Sequence, residues 1–423
     1  MIEIQKEFKC AKEKFIEIDK SARKSGRRLK KADKQDGEKG EGEKKLEKSG
    51  RVIGSKRIRR SSKKVSKVVE KHIERVEKAA KEFQERRPVL FKKKSSSEPE
   101  ANQSPENPVD ALPDAWRDAV LTPDCLVAID KFVNFYTQLG VQGLRNEFAQ
   151  NKAFVPAAFT YNAFTANAER NRYKDVVCSD ATRISLTLQV PPETDYIHAN
   201  RVKLDGADKE FITCQAPIET TINDHWRLVH QEEVSVCAAL CQFNESGKAK
   251  CTQYWPMKAD EFVNHGKMSV NTKKIVQENC LDVYTVEVLP EGCSNSTILK
   301  LIHMTTWPDR GVPKDVRTML NLLRLIYFNA QGSIMIHCSA GIGRTGSVIA
   351  VDCIIERLLK GKETKLLDVF QDLRSQRASS VQTESQYVFV VQVVLEFIQI
   401  RTGDKYAAKV KKFNEEFVKA NLA

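Results

Sequence analysis

The residues from His337 to Gly346 read His-Cys-Ser-Ala-Gly-Ile-Gly-Arg-Thr-Gly. They follow a short apolar run, Ile334-Met335-Ile336, and precede a helix-like run from Ser347 to Leu359. This pattern predicts a strand, a tight loop and a helix. A cysteine in such a turn sits where backbone N–H groups and the positive end of the helix favour negative charge. That environment lowers the thiol pKa and makes Cys338 a candidate thiolate at neutral pH. Arg344, six residues on, can return to the same loop and offer a planar fork to a phosphate. A thiolate beside a bidentate anion clamp is the equipment for attack on a phosphate ester.

The rest of the chain must supply the elements that hold this loop. Residues 1–62 are rich in Lys, Glu, Ser and Gly and poor in aromatics, so the expectation is disorder. From Lys63 to Arg87 the apolar residues Val69, Ile73, Val76, Ala80 and Phe83 recur three and four apart, and Pro88 stops the run. That spacing predicts an amphipathic helix over 63–87, too short for a coiled coil. Ser95 to Asn107 reads as a linker, and folded character begins near Leu112. The expected organisation is a basic extension over 1–112, a folded domain over 113–402 and a helical extension over 403–423.

Within the domain, residues 122–150 read as helices. The segments 183–188, 211–214 and 234–240 read as strands, and after residue 314 the chain alternates helix, strand, helix, helix. Helices before, between and after strands predict an α/β (α+β) architecture, a mixed central sheet with helices on both faces. Gly403 is the expected end of the domain. Tyr406, Val410, Phe413 and Phe417 form a stripe that would pack a last helix back onto it.

Composition narrows the class. The net charge of the 423 residues is +13, but residues 1–100 hold 33 Lys+Arg against 18 Asp+Glu, and the remainder holds 36 against 38. The basic character therefore lies in the extension and not in the segment with the chemistry. Eleven scattered cysteines without metal-type spacing suit reduced thiols in a cytoplasmic compartment, with no metal or cofactor. The first residues lack the apolar core of a secretory signal, and no apolar run approaches the ~20 residues needed to cross a bilayer.

The string around Cys338 resembles the signature loop of the cysteine-dependent protein phosphatases, and further strings resemble the tyrosine-specific branch. Thr306 to Pro313, with Trp307, Asp309 and Gly311, resembles its mobile acid loop. The resemblance implies that Asp309 protonates the leaving phenolic oxygen. Asn171 to Val176 resembles the phosphotyrosine-recognition loop. Tyr173 would wall a deep slot, Asp175 would accept substrate backbone N–H groups, and Val176, Ala340 and Ile342 would complete the apolar lining. Ser339, Gly341 and Gly343 fall within the same substrate-binding loop. Val381 to Tyr387 resembles the glutamine loop, in which Gln382 would orient the hydrolytic water and Gln386 would support it.

The resemblance further implies that Thr345 donates to the departing thiolate and that His337 supports the cysteine rather than acting as a base. Glu245 would pair with Arg344, and Lys250 would approach Asp309. Arg374 and Arg377 share the family's Arg-x-x-Arg spacing; Arg374 would read a second acidic group on a substrate or make a surface salt bridge. The likeness covers about residues 115–402. Departures are His198, Ala216, Arg310 and Ser380, which stand where asparagine, glycine, histidine and methionine or leucine are common. None removes a group that touches phosphate.

The expected activity is hydrolysis of phosphotyrosine in proteins through a cysteinyl-phosphate intermediate, by a monomeric intracellular signalling enzyme. The alternative is a phosphotyrosine-binding pseudoenzyme, but such relatives usually lose the cysteine, the arginine or the acid, and all three are present. In the extension, Lys56-Arg57-Ile58-Arg59-Arg60 and Lys92-Lys93-Lys94 suit a nuclear address or an anchor to anionic membrane, or a merely solvated tail. The interleaved glutamates argue against strong nucleic-acid binding.

Overall fold

The computed structural model of the protein describes residues 107–420. The helix expected at 63–87, the basic clusters and nearly all of the linker lie outside the described residues. The strands are β1 (Arg183–Ser185), β2 (Tyr196–Val202), β3 (Phe211–Cys214), β4 (Val234–Ala239), β5 (Asn244–Glu245), β6 (Lys248–Ala249), β7 (Glu261–His265), β8 (Met268–Glu278), β9 (Leu281–Pro290), β10 (Thr297–His303) and β11 (Ser333–His337). The main helices are α1 (Pro123–Asn151), α2 (Ile222–Gln231), α3 (Arg317–Asn329), α4 (Gly343–Leu359), α5 (Leu366–Gln376), α6 (Glu384–Thr402) and α7 (Ala407–Lys419).

Nine strands form one mixed sheet in the order β1-β2-β3-β11-β4-β10-β9-β8-β7, and β5 and β6 form a separate hairpin. Strands β3, β11, β4 and β10 run parallel at its centre, and the flanking strands are antiparallel. The sequence explains the difference. Ile334-Met335-Ile336 is apolar throughout because β11 is covered on both faces. Ile334 and Ile336 join the core under α1 and α3–α7, while Met335 joins the core under α2 with Trp226. In β8 the buried Met268, Val270 and Thr272 alternate with half-exposed Ser269 and Asn271, as a strand with one solvated face requires.

This topology sets the site. His337 ends β11 opposite Cys214 of β3 and Ala239 of β4. The four parallel strands therefore deliver their following segments to one edge: residues 215–217, 240–245, 304–311 and 338–343. The carboxyl ends of parallel strands are where open α/β sheets form their ligand crevice.

Three expectations are refined. The strand expected over 183–188 stops at Ser185, where Leu186 N donates to Asp195 O and Thr187 N turns to Gln231 Oε1. Pro191 and Pro192 then follow, with no N–H to extend a ladder. The helical region over 122–150 is a 29-residue span broken at Gly140, whose φ of 67° is left-handed. Val141 N donates to Glu416 Oε2 there, and a Cβ on Gly140 would lie 2.9 Å from that oxygen. At the C-terminal end Gly403 caps α6, and α7 buries Val410, Phe413 and Phe417. At the other end Leu112 and Trp116 are already buried, and Trp116 Nε1 donates to Glu356 Oε1 at 3.1 Å.

Candidate active site

Cys338 leaves β11 and the chain turns within five residues into α4, as the sequence pattern predicts. The turn depends on Gly341. Its φ is +69°, and a Cβ there would sit 1.9 Å from Cys214 O, so no side chain fits. Arg377 secures the same loop from beneath. This fully buried guanidinium donates to Gly341 O (3.1 Å), Ala340 O (2.9 Å) and Asn200 Oδ1 (2.7 Å). Its Nη1 also lies 3.1 Å from His198 Nδ1. His198 is buried, and its pKa is lowered to about 3 by burial and by the Arg377 charge. The ring is therefore neutral; Nδ1 accepts from Arg377, and Nε2 donates to Val176 O at 2.8 Å.

Burial pushes the Cys338 thiol up. The Arg344 charge, the Thr345 hydroxyl and the backbone N–H groups of Thr345 and Ile342 outweigh it, so the thiol lies below its ordinary value. Thr345 Oγ1 is buried with no other hydrogen-bond partner among the described residues, and it helps to hold the Cys338 thiol low. Arg344 is 3% exposed and makes a fork with Glu245 (2.8 and 2.7 Å), and Nη1 also donates to Leu240 O at 2.7 Å. His337 is enclosed, with Nδ1 3.0 Å from Cys338 O and Nε2 2.6 Å from Tyr254 Oη. Burial lowers its pKa to about 4, so it stays neutral at pH 7.

Asp309 reaches the same place from the segment after β10. Its Oδ2 lies 2.5 Å from Lys250 Nζ, and its Oδ1 lies 3.7 Å from Arg344 Nη2. Trp307 anchors that segment: the ring is 1% exposed, packs edge-on against Phe389 and donates from Nε1 to Gly311 O at 2.8 Å. From the recognition segment, Tyr173 Oη donates to Ser339 Oγ (2.7 Å), which donates to Lys250 O (2.7 Å). Gln386 Oε1 accepts from Gln382 N at 3.0 Å and fixes the start of α6.

A pocket is lined by Tyr173, Asp175, Val176, Lys250, Asp309, Cys338, Ser339, Ala340, Gly343, Arg344, Gln382 and Gln386, together with Arg310. The structure thus brings together most of the residues expected from the sequence. Gly341 and Ile342 do not line the pocket: Gly341 turns the loop, and Ile342 is buried with its carbonyl accepting from Gly346 N and Val381 N. Arg374 overturns both of its expected roles. It is 4% exposed, donates to Ser380 O (2.9 Å) and Val381 O (3.1 Å), and stacks over the Phe370 ring at 4.1 Å. It braces the glutamine loop and is almost wholly buried. Sequence reasoning missed Arg377 as the brace of the cysteine loop, and Arg172, which donates to Ala216 O and Pro217 O. It also left Arg310 out of the pocket. Only the Arg-x-x-Arg spacing hinted at the first of these.

Fold and site together define the class of proteins that place a thiol and an arginine on one anion-binding loop between a parallel strand and a helix. The family model described as protein-tyrosine phosphatase matches residues 167–396, and the chain belongs to the protein-tyrosine phosphatase family. It is 30% identical over 289 residues to receptor-type tyrosine-protein phosphatase eta of Mus musculus, covering 66% of this chain and 23% of that protein. It is 31% identical over 294 residues to tyrosine-protein phosphatase non-receptor type 9 of Rattus norvegicus, covering 64% of this chain and 49% of that one. The chain thus spans about a quarter of one relative's length and about half of the other's. A solved structure reported as "Structural basis of PTPN18 fingerprint on distinct HER2 tyrosine phosphorylation sites" matches with a TM-score of 0.54 and 29% identity, over 61% of this chain and 92% of that chain. Among the described residues no helix is long and apolar enough to cross a membrane.

Proposed function

We propose that the protein is a non-receptor protein-tyrosine phosphatase that hydrolyses phosphotyrosine in proteins by way of a cysteinyl phosphate. The observation that carries this reading is the Cys338 thiol. It is buried, yet Arg344 on its own loop holds its pKa below the ordinary value, and Asp309, with Oδ1 3.7 Å from Arg344 Nη2, lines the same pocket.

The chemistry follows from the placement. The Cys338 thiolate attacks phosphorus while Arg344 holds the equatorial oxygens. A sulfur–phosphorus bond forms, the phosphorus–oxygen bond breaks, and Asp309 gives its proton to the phenolic oxygen. Gln382 then places a water, Asp309 takes a proton from it, and the sulfur–phosphorus bond breaks to release inorganic phosphate. Thr345, with a hydroxyl uncommitted elsewhere, donates to the returning thiolate. Tyr173 sets the depth of the slot, which favours an aryl ester over the shorter serine ester, and Asp175 at the rim accepts substrate N–H groups. Glu245 orients Arg344 and Lys250 orients Asp309.

An intracellular location fits this reading, since the ten described cysteines are free thiols, and a monomeric state is part of the same proposal. Contact of the basic extension with an anionic membrane surface, or with the nuclear import machinery, rests on charge alone.

The test is hydrolysis of matched phosphotyrosine and phosphoserine peptides by purified protein, with capture of the phosphoenzyme after acid quench. Turnover of phosphotyrosine alone, with phosphate on Cys338 and none in Cys338→Ser, supports the reading. Turnover by Cys338→Ser, or comparable turnover of both peptides, overturns it.

A further inference from the structure

Three cations line the pocket: Lys250, Arg310 and Arg344. Two are committed. Lys250 is tied to Asp309, and Arg344 to Glu245 and Leu240 O. The side chain of Arg310 is exposed and has no hydrogen-bond or ion-pair partner among the described residues. Its backbone, by contrast, is fixed. Arg310 has a left-handed φ of 59°, and its carbonyl accepts from Thr383 Oγ1 (3.1 Å) and Ser385 Oγ (3.4 Å) at the start of α6. Those hydroxyls pin the segment carrying Asp309 to the glutamine loop while the guanidinium stands at the pocket mouth. On the recognition segment the exposed carboxylate of Asp175 lines the same pocket. The mouth is therefore polarised, with an uncommitted cation from the acid loop and an anion from the recognition loop.

We propose that Arg310 is a specificity-determining residue: with the acid loop over the pocket, its guanidinium pairs with a carboxylate side chain flanking the phosphotyrosine, so the preferred substrates are acidic phosphopeptides. The proposal rests on the phosphatase reading above. The phosphate itself is met by Arg344 and the cysteine loop, which leaves Arg310 to read what lies beside it. A guanidinium suits a carboxylate because its planar fork matches both oxygens. The pair would form at a solvent-exposed rim, so its effect is a bias of about two- to fivefold in kcat/KM and not an absolute filter. It should fade as salt rises, since exposed charges are screened within about 10 Å at 0.1 M. Because the Arg310 carbonyl is held by Thr383 and Ser385, a substrate that engages the side chain also favours the loop position that brings Asp309 to the leaving oxygen.

The experiment compares three phosphotyrosine peptides of one length, with glutamate, glutamine or lysine at the positions flanking the phosphotyrosine, across a salt series. Wild type should favour the glutamate peptide over the glutamine peptide, and that ratio should shrink with salt. In Arg310→Ala the ratio should fall to about one, whatever common loss all three peptides suffer. In Arg310→Glu the order should invert towards the lysine peptide, while Arg310→Lys should keep much of the preference. Equal rates on the three peptides by wild type, or an undiminished ratio in Arg310→Ala with Lys174 as the remaining exposed cation, would overturn the proposal and leave the phosphatase reading standing. Failure of wild type to hydrolyse any of the three would overturn both.

Discussion

Lys250 Nζ lies 2.5 Å from Asp309 Oδ2, and the two residues come from segments 59 positions apart in sequence. Lys250 follows the β5–β6 hairpin, which also supplies Glu245, and Asp309 follows β10. The lysine side chain is 11% exposed and the aspartate 39%, so the cation is the more enclosed partner. With Arg344 3.7 Å from the other carboxyl oxygen, Asp309 is held between two cations in the pocket that Cys338 also lines. On the proposed mechanism, arriving phosphate would compete for Arg344 and leave Lys250 as the contact that keeps the acid in reach.

Lys250→Met should therefore lower kcat on phosphotyrosine peptides by about 10- to 100-fold, the range expected when a reacting group is misplaced by about an ångström. KM should change less, since the lysine orients the acid and does not hold the phosphate. The loss should shrink for substrates whose leaving group needs no proton. Steady-state kinetics on a phenyl phosphate series with graded leaving groups would check it; equal losses across the series would mean that Lys250 acts on something other than Asp309.

The Cys338 thiol should be alkylated by iodoacetamide faster than the other thiols, with a pH midpoint below the ordinary 9.0 because Arg344 and the loop N–H groups stabilise its thiolate. Buried thiols elsewhere go the other way; burial pushes Cys237 up to about 12. The acid limb of kcat/KM should fall as pH drops through the Cys338 value, since the nucleophile is then protonated. Mass spectrometry of the alkylated protein over a pH series would show whether Cys338 leads.

Much of this site is legible in the sequence because its parts are local strings: a cysteine and an arginine on one loop, an acid between Pro308 and Gly311, a glutamine before a helix. What is not legible is decided by segments distant in sequence. Arg374 and Arg377 look equivalent on paper. In space Arg374 faces the carbonyls of residues 380 and 381, and Arg377, just past α5, faces those of Ala340 and Gly341. The parallel order β3-β11-β4-β10 cannot be read from periodicity, because strands buried on both faces show only apolar runs. The break in α1 turns on one glycine and on Glu416, 276 positions away.

Arg377→Met should destabilise the protein and disable it together. The change strips partners from two loop carbonyls and from Asn200 Oδ1, with the Gly341 and Asn200 bonds buried and the Ala340 bond partly so. A charged hydrogen bond contributes about 1.5–3 kcal/mol, so a total loss of ~3 kcal/mol or more is expected. Urea unfolding measures the first effect and kcat the second. Normal turnover by a destabilised variant would show that the loop holds its shape without the brace.

Gly341→Ala should be harsher than its one methyl suggests. The left-handed backbone alone costs about 1–2 kcal/mol for an L residue. The added Cβ would also sit 1.9 Å from Cys214 O, so the loop must move. A drop in both Tm and kcat is expected, and an active variant of unchanged Tm would contradict the tight turn.

Asp352, midway along α4, gives a pH dependence of stability. Burial raises its carboxyl to about 7, with the Tyr327 hydrogen bond opposing and the Glu356 charge adding to the rise. Tyr327 Oη donates to Asp352 Oδ1 at 2.7 Å, while Oδ2 is buried without a partner. In the unfolded chain an aspartate titrates near 3.9. Between about pH 4 and 7 the folded protein therefore holds a proton that the unfolded chain has lost. The stability this contributes is fully present below the unfolded value and is lost as pH rises through 7. Asp352→Asn cannot ionise, so its stability relative to wild type should grow as pH rises from 5 to 7 and level off above. The growth is bounded at about 1.4 kcal/mol per pH unit. Urea unfolding of both proteins at pH 5, 6, 7 and 8 would test this. Parallel curves would mean that Asp352 stays ionised in the core of α4, with Tyr327 carrying its charge.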